Sequence, residues 1–347
     1  MSDEKLFSAF PPDAYADWLE RAQKELKDRT PEEVLHYARA AGISAEAYSI
    51  ADPATPISST DRRGVKRANN NWRITVPVNV GDPRATNKDI LASLEGGADA
   101  IELYGKLGST SPTLDGVWLG AIDLQLDGDA HLLDELLALH AKQNTPPTEV
   151  SICLGLSHDS DVRTMKSAIA KYPLVRLFAV SDQRQPGEAN VVEPTRRALD
   201  QGRALIERLL AQGFTIDDAA ARVQFRLHLG DDLFVEAARI RAFRACWAQV
   251  ISSFSPTHHC SRNAWVQCVV SFDSAAKAPY DNAIRATLQA ISAITGGCDG
   301  LTIPDLPLPE GARLGRRIAR NISLLCAMNR SSIVSAIHWA GASQLRS

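Results

Sequence analysis

Three polar side chains that could bind a ligand alternate along one short segment of this 347-residue chain. Gln224, Arg226 and His228 occupy every second position of the segment 223–229, and apolar residues stand between them. This two-residue period predicts a strand with two different faces. Arginine can bind an anion in a fixed geometry, and histidine can exchange a proton near neutral pH. The polar face therefore either binds a small anion or is neutralised by an acid, from the turn 230–232 or elsewhere in the fold.

A second group of chemically active residues is His258-His-Cys260, with Cys268 nearby. Adjacent histidines on a loop point in different directions, and no CxxC or HxxxH pattern supplies the remaining ligands of a zinc site. We therefore predict no bound metal and treat His258 as a residue that could line a pocket. The segment 105–110 contains two glycines and a lysine but lacks the residue order of a phosphate-binding loop, so we assign it no function.

Length and composition restrict the class of protein. The 347 residues, 45% of them hydrophobic, suffice for one large barrel or two ordinary domains. A net charge of −3 argues against a dedicated nucleic-acid-binding or membrane-surface protein, and no apolar run reaches the roughly 18 residues that span a bilayer. The N-terminus does not resemble a secretion signal, and six scattered cysteines favour reduced thiols. We therefore expect a cytoplasmic protein that binds neither nucleic acid nor membrane.

The chain from residue 72 onward alternates strand-like and helix-like segments. We predict eight strands, over residues 72–80, 100–103, 121–124, 150–154, 174–180, 223–229, 265–271 and 300–304. Helices are predicted over residues 85–95, 130–142, 161–171, 188–212, 231–254, 280–295 and 312–328, and a loop over 105–116. This alternation predicts an α/β fold of the (β/α)8 TIM-barrel type, with a doubly wound open sheet as the alternative.

The first 71 residues are predicted to form an N-terminal helical and extended arm. A helix is expected over residues 13–27, with Asp13 as its N-cap. Its apolar stripe consists of Tyr15, Trp18, Leu19, Ala22 and Leu26. We accordingly divide the chain into an arm and linker over 1–71, a barrel over 72–330 and a C-terminal tail over 331–347.

Several segments resemble the cobalamin-dependent acyl-CoA mutases, of which methylmalonyl-CoA mutase is best known. Residues 222–247 follow without a gap a run R-L-S-F-F-x-G-x-G-x-N-F-x-x-E-I-A-K-x-R-A-A-R-R-L-W of that family. Residues 280–297 resemble its Y-N-N-x-x-R-x-T-x-x-A-x-A-A-x-x-G-G helix, and residues 316–325 resemble S-R-I-A-R-N-x-x-x-L-L. Residues 10–12 and 18–27 resemble the opening of the family's non-catalytic small subunit. The resemblance implies that this chain adopts the barrel fold of these mutases.

The residues that the family uses for chemistry differ here at the matching positions. The resemblance implies a tyrosine from the first barrel strand and a histidine near the fifth, but Pro77 lies near the first position and Gln183 at the second. It also implies a cobalamin domain with a D-x-H-x-x-G motif, which does not occur in the 347 residues, so we expect no cobalamin-binding domain. The family's acyl-CoA passes through a lumen lined by small polar side chains, which bulky Gln224 and Arg226 would narrow.

We therefore predict a methylmalonyl-CoA mutase-like barrel with no catalytic residues of its own. In this interpretation the chain is a pseudoenzyme, a small-subunit-type partner of a cobalamin-dependent acyl-CoA mutase, and it forms a dimer with a catalytic subunit or with a second copy. It binds no cofactor alone, and adenosylcobalamin would come through the partner. The residues expected to line a ligand site, with an acyl-CoA as one candidate ligand, are Arg222, Gln224, Arg226, His228, Gln183 and His258.

Two alternatives remain open from the sequence. In the first, the chain is an acyl-CoA mutase (isomerase) barrel whose cobalamin domain is supplied by a separate polypeptide. In the second, the barrel binds a different ligand at its C-terminal mouth through Arg226, His228 and His258. The sequence is therefore compatible with an enzyme and with a non-catalytic subunit.

Overall fold

The computed structural model describes residues 14–30, 33–34, 36–40, 43–46, 71–188, 190–272 and 279–329. Among these, the residues up to 46 belong to one compact unit and those from 71 onward to a second. The predicted boundaries 1–71, 72–330 and 331–347 stay predictions, because the described ranges leave out residues 47–70 and everything after 329.

The described part of the first unit includes a helix and a β-hairpin. Helix α1 spans Tyr15–Leu26, and strands β1 (His36–Ala40) and β2 (Ile43–Glu46) pair antiparallel. The five residues of the predicted apolar stripe are partly buried, and all other residues of α1 are exposed, so the predicted stripe is confirmed. Ala14 occupies the N-cap position, and the predicted cap, Asp13, lies outside the described residues.

The second unit is built on a parallel sheet of nine strands. Their bounds are β3 Arg73–Asn79, β4 Ala100–Tyr104, β5 Asp123–Leu126, β6 Ser151–Cys153, β7 Val175–Arg176, β8 Phe178–Ser181, β9 Val223–His228, β10 Trp265–Val269 and β11 Gly300–Thr302. The strand order is β7-β6-β5-β4-β3-β11-β10-β9-β8. The two ends of this series, β7 and β8, are consecutive in the chain and are separated only by Leu177.

The segment β7–β8 closes the sheet into a ring. On one side β7 pairs with β6, and on the other β8 pairs with β9. At the joint, the Leu177 N–H donates to the carbonyl of Arg222 (2.9 Å), and the Leu156 N–H donates to the carbonyl of Leu177 (2.8 Å). Because β7 and β8 act as one interrupted strand, the ring contains the eight predicted strands. The predicted (β/α)8 barrel is confirmed, and the open-sheet alternative is wrong.

Helices follow the strands as predicted, with three differences, one of which is a short helix over 216–221 that was not predicted. Their bounds are α2 Pro83–Glu95, α3 Thr110–Thr113, α4 Ala130–Lys142, α5 Lys166–Ile169, α6 Val192–Ala211, α7 Ile216–Ala221, α8 Leu233–Ser252, α9 Asp281–Gly296 and α10 Ala312–Met328. The helix predicted over 161–171 is reduced to a 3-10 turn and the short α5. The loop predicted over 105–116 contains the single turn α3.

Side-chain caps start several of these helices at the ends of strands. The Asp129 carboxylate accepts from the Leu132 N–H at the start of α4 (3.0 Å), and Asp232 accepts from the Phe234 and Val235 N–H groups at the start of α8 (3.1 Å each). A carboxylate at this position satisfies amides that have no partner within the helix and suits the helix dipole. Asp129 and Asp232 therefore stabilise the starts of α4 and α8.

The two faces of β9 point in opposite directions, as the sequence predicts. Phe225 faces the helix layer, where its ring centroid lies 4.7 Å from that of Phe243 and 4.6 Å from that of Trp247. Gly202 of α6 gives these rings room, since a Cβ there would lie 2.8 Å from Phe225 and Trp247. The polar residues of β9 consequently face the barrel lumen.

His140 on α4 is a buried histidine that should lower the stability of the fold at acidic pH. It is 2% exposed, and neither ring nitrogen has a hydrogen-bond partner among the described residues. Burial disfavours the charged ring and lowers the pKa of His140 from 6.5 to about 4. Because the unfolded chain takes up this proton at a higher pH than the folded protein, folding loses stability as the pH falls from about 6.5 towards 4.

We expect the wild type to unfold at a lower urea concentration at pH 5 than at pH 7. In His140→Leu, the difference between the two midpoints should be smaller. The matched control is His131→Leu on the same helix, because the His131 side chain is 81% exposed. Urea unfolding curves of the three proteins at both pH values test the assignment. An unchanged pH dependence in His140→Leu would show that His140 is not the group responsible.

Candidate functional site

A hydrogen-bonded layer of side chains crosses the centre of the barrel. Gln224 on β9 donates to Gln125 on β5, and Gln125 donates to Gln267 on β10, both at 3.1 Å from Nε2 to Oε1. Gln267 in turn donates to Thr75 on β3 (3.0 Å) and Thr302 on β11 (2.8 Å). All five residues are at most 2% exposed. We call these five residues the glutamine layer; they join five different strands and fill the lumen at their level.

A charged pair lies against this layer. Thr302 donates to Glu102 on β4 (Oγ1 to Oε2, 2.9 Å), and the other carboxylate oxygen of Glu102 pairs with the guanidinium of Arg226. Glu102 is 1% exposed and the Arg226 side chain 19% exposed. One of the two predictions for Arg226 was neutralisation by an acid of the fold, and Glu102 is that acid. Burial and the negative charge of Glu102 also raise the pKa of Tyr104 well above its usual value of 10, so its hydroxyl is protonated.

Arg176 on β7 also bonds to the glutamine layer. Its Nε donates to Gln224 Oε1 (3.0 Å), and its Nη2 donates to the hydroxyl of Ser151 (3.3 Å). The guanidinium carbon lies 3.9 Å from the ring centroid of Trp265. Arg176 is 5% exposed and Trp265 is partly buried, and their cation–π contact adds to the filling of the barrel.

A second polar network lies at the C-terminal ends of β8 and β9. Asp182 is completely buried and accepts from His228 Nδ1 (2.8 Å) and from Arg239 Nη1 (3.0 Å). Arg239 also donates through Nε to Glu236 (2.8 Å) and through Nη2 to the carbonyl of His228 (2.6 Å). Arg184 pairs with the second oxygen of Glu236. Two buried acids and two buried arginines thus neutralise each other beneath His228.

The electrostatics of this network fix the tautomer of His228. Burial alone would raise the pKa of Asp182, but the hydrogen bond from His228 and the charge of Arg239 outweigh burial and lower it. Asp182 is therefore ionised and accepts, so Nδ1 of His228 carries the hydrogen and Nε2 is left for another partner. The His228 side chain is 26% exposed. This arrangement could bind a ligand or accept a proton, because a buried carboxylate orients an imidazole for such roles.

Two further predicted site residues, Arg222 and Gln183, take no part in this network. Arg222 is 3% exposed and donates through Nη1 to the carbonyls of Tyr172 (2.8 Å) and Val175 (2.6 Å), so it ties the N-terminal end of β9 to the start of β7. Gln183 is exposed in the loop after β8, in a left-handed backbone conformation (φ 51°).

His258 does not join Arg226 and His228. It is exposed in the connection between α8 and β10, where its N–H donates to Asp217 (3.1 Å). Connections from a helix to the next strand lie at the N-terminal end of the barrel, whereas His228 lies at the C-terminal end. The predicted grouping of Arg226, His228 and His258 at one mouth is therefore wrong, because His258 belongs to the opposite end.

A cavity of about 350 Å³ lies outside the lumen, between the loops that follow β4 and β5. Its charged lining residues are Lys106, Asp127, Asp129, His131 and Glu135. None of the predicted ligand residues lines it. In the described ranges, no group of three or more His, Cys, Asp or Glu side chains could hold a metal ion. No helix there is long and apolar enough to cross a bilayer.

Glu102, Asp182 and Arg239 are important members of these networks that sequence reasoning missed. Glu102 could have been found, since it is the single charged residue within the apolar strand Ala100–Tyr104 and must face a lumen or a partner. Asp182 and Arg239 gave no such signal, because neither lies in a strand and 57 positions separate them in the chain.

Comparison with known proteins finds relatives that all carry the name of one enzyme. A family model described as methylmalonyl-CoA mutase matches residues 162–343. The methylmalonyl-CoA mutase small subunit of Porphyromonas gingivalis is 25% identical over 93% of this chain and 58% of its own length. The small subunit of Streptomyces virginiae is 25% identical over 97% of this chain and 61% of its own length. The methylmalonyl-CoA mutase of Cereibacter sphaeroides is 33% identical over 41% of this chain and 20% of its own length. The chain thus spans about three-fifths of the length of the small subunits that it matches.

Proposed function

The chain belongs to the methylmalonyl-CoA mutase family, and on that premise we propose that it is a small-subunit-type barrel that pairs with a cobalamin-dependent mutase chain. In this role it does not itself rearrange an acyl-CoA. The barrel contributes a folded surface to the assembly, and adenosylcobalamin is bound by the partner. The protein works in the cytoplasm, where thiols such as the exposed Cys246 and Cys260 stay reduced.

The filled lumen is the observation that carries this proposal. A pantetheine arm passing along the barrel axis would have to displace the glutamine layer, whose members are at most 2% exposed. Each broken hydrogen bond would leave a buried polar group without a partner, at a cost of about 1–3 kcal/mol per group. The stacked pair Arg176 and Trp265 would have to move as well. Access for a CoA ester through this barrel is therefore strongly unfavourable.

The residues at the positions of the family's catalytic groups support the same conclusion. Pro77 lies within β3, next to Glu102 of the neighbouring strand, and offers neither a hydroxyl nor a backbone N–H. Gln183 is an exposed loop residue, and an amide side chain cannot act as an acid or a base. The alternative, a mutase barrel that uses a cobalamin domain supplied in trans, requires both an open lumen and such groups.

The experiment is a binding and turnover test on the purified chain. We expect no saturable binding of methylmalonyl-CoA by calorimetry, and no succinyl-CoA when adenosylcobalamin is added. A mutase catalytic chain from the same organism, when co-expressed, should co-purify with the tagged protein. Binding of methylmalonyl-CoA tighter than about 100 µM, or any turnover by the chain alone, would favour the alternative.

A further inference from the structure

His228 offers a hydrogen-bond acceptor in a fixed orientation. Its Nδ1 donates to the completely buried Asp182 (2.8 Å), and its backbone N–H donates to the same carboxylate (3.1 Å). The side chain is 26% exposed, and no described residue bonds to Nε2. Because Nδ1 carries the hydrogen, Nε2 is an acceptor that is held in place at the C-terminal end of the lumen.

Arg226 offers a donor two positions earlier on the same face of β9. Its Nη2 pairs with Glu102, its Nε is buried, and its Nη1 makes no hydrogen bond to a described residue. The side chain is 19% exposed. Alternate residues of a strand leave the same face about 7 Å apart. One small chemical group can therefore meet both side chains, through hydrogen bonds of about 2.9 Å each.

Neighbouring strands leave room above this donor and acceptor. Ser181 is the register partner of Arg226 on β8, and Tyr104 follows Glu102 on the lumen face of β4. Pro77 faces the lumen from β3, between two buried residues of the helix layer. Ser181, Tyr104 and Pro77 are all partly exposed, whereas the glutamine layer below them is buried. A ligand can therefore enter from the C-terminal end but cannot pass through the barrel.

The charges around this site do not favour an anion. Glu102 neutralises Arg226, and Asp127 at the end of β5 adds a negative charge that also acts on Arg226. Beneath His228, the buried acids and arginines neutralise each other. An ammonium group could donate to His228, but it has no acceptor for the donor of Arg226. A neutral ligand that both accepts and donates therefore fits best.

A primary carboxamide carries the required pair of groups on one edge. Its carbonyl oxygen accepts a hydrogen bond, and the N–H on the same side donates one. A lactam ring has the same arrangement, whereas an ordinary secondary amide is trans and directs the two groups to opposite sides. We propose that the C-terminal mouth of the barrel binds a neutral molecule through such an edge, with the carbonyl on Arg226 and the N–H on His228. This binding does not depend on the pairing with a mutase chain.

The first test is a titration of the wild type with propionamide, followed through the NMR signals of the histidine rings. We expect the His228 signal to shift with a Kd of about 1–10 mM, which is within reach of so small a ligand. Propionate lacks the donor and propylamine lacks the acceptor, although both are similar in size. Each should bind at least about tenfold more weakly, because one polar group of the site stays unpaired. N-methylpropionamide, a trans amide, should be equally weak.

The second test removes the acceptor by His228→Phe. The ring volume is similar, and Asp182 still accepts from Arg239 and from the backbone N–H of position 228, so the fold should be retained, which circular dichroism checks. Binding is followed through the NMR signals of propionamide, and the Kd should rise at least about tenfold. The matched control is His258→Phe, because His258 is an exposed histidine at the opposite end of the barrel. Its Kd should equal that of the wild type.

The possible outcomes separate the location of the site from the class of its ligand. If the His228 signal does not move with propionamide at about 100 mM, or if His228→Phe binds it as well as the wild type does, the site is wrong. If propionate binds as tightly as propionamide, the site accepts anions and the neutral ligand class is overturned. Should His228→Phe not fold, the titrations of the wild type still decide both points. Co-purification of a mutase chain tests the proposed function separately.

Discussion

Replacing Arg239 by methionine is expected to lower the free energy of unfolding by about 3–5 kcal/mol at neutral pH, since breaking a buried ion pair leaves an uncompensated charge. The Arg239 side chain is 2% exposed and pairs with Asp182 (3.0 Å) and with Glu236 (2.8 Å). Both acids are at most 1% exposed. Methionine fills a similar volume, so the loss reports the charge and the hydrogen bonds rather than a cavity.

The pH dependence of the stability of Arg239→Met identifies the uncompensated charge as the cause of the loss. In the wild type, the pKa of Asp182 is lowered, so its contribution is present above the unfolded pKa of about 3.9 and is lost as the pH falls through the lower folded value. In Arg239→Met, protonation of Asp182 relieves the uncompensated charge. We therefore expect the difference in the free energy of unfolding between variant and wild type to become smaller as the pH falls towards 4.

Urea unfolding at several pH values measures both effects. The matched control is Arg285→Met, because Arg285 also pairs with an aspartate, Asp231 (2.6 Å), but both side chains are about half exposed. Exposed pairs contribute little, so the control should unfold almost as the wild type does. If Arg239→Met were no less stable than Arg285→Met, the network beneath His228 would not stabilise the barrel as inferred.

Gly300→Ala is the second substitution with a large expected effect. A Cβ at position 300 would lie 1.9 Å from Oε1 of Gln267, an overlap that real structures do not show. Gln267 cannot simply turn away, because its amide is bonded to Gln125, Thr75 and Thr302 inside the lumen. We expect a loss of about 2–4 kcal/mol, from overpacking together with broken buried hydrogen bonds.

The control for this substitution is Gly108→Ala, since a Cβ at position 108 meets no atom within 4 Å. The mutation adds the same methyl group in open space and should change stability little. Thermal and urea unfolding of both variants give the comparison. Equal stability of the two variants would contradict the tight packing of the glutamine layer. A large loss in Gly300→Ala alone would support a lumen that cannot open for an acyl-CoA.

Local patterns in the sequence predicted the elements of the fold well. The two-residue period of 223–229 predicted a strand with two different faces, and the structure confirms it, with Phe225 facing the helix layer and Gln224 the lumen. The helix predicted over 231–254 is confirmed as Leu233–Ser252. Such signals succeed because strand faces and helix starts depend on residues within a few positions of each other.

The assignment of binding roles to single residues was less reliable. Arg222 has the residue type of an anion-binding group, but it donates to backbone carbonyls at the start of β7. His258 has the residue type of a pocket residue, but it lies at the end of the barrel opposite His228. A residue type states which bonds a side chain can form, whereas its neighbours decide which bonds it does form.

By itself, the sequence determined the alternation of strands and helices, the amphipathic stripe of α1 and the polar row on β9, because each depends on short-range periodicity. Only the tertiary structure decided that this row is neutralised within the fold. Glu102 and Thr302 meet although 200 positions separate them, and Gln125 and Gln267 meet across 142 positions. No local pattern encodes such pairs, since closing the ring of strands brings them together. The polar strand that suggested a binding site is thus, in its first four residues, part of a filled barrel core.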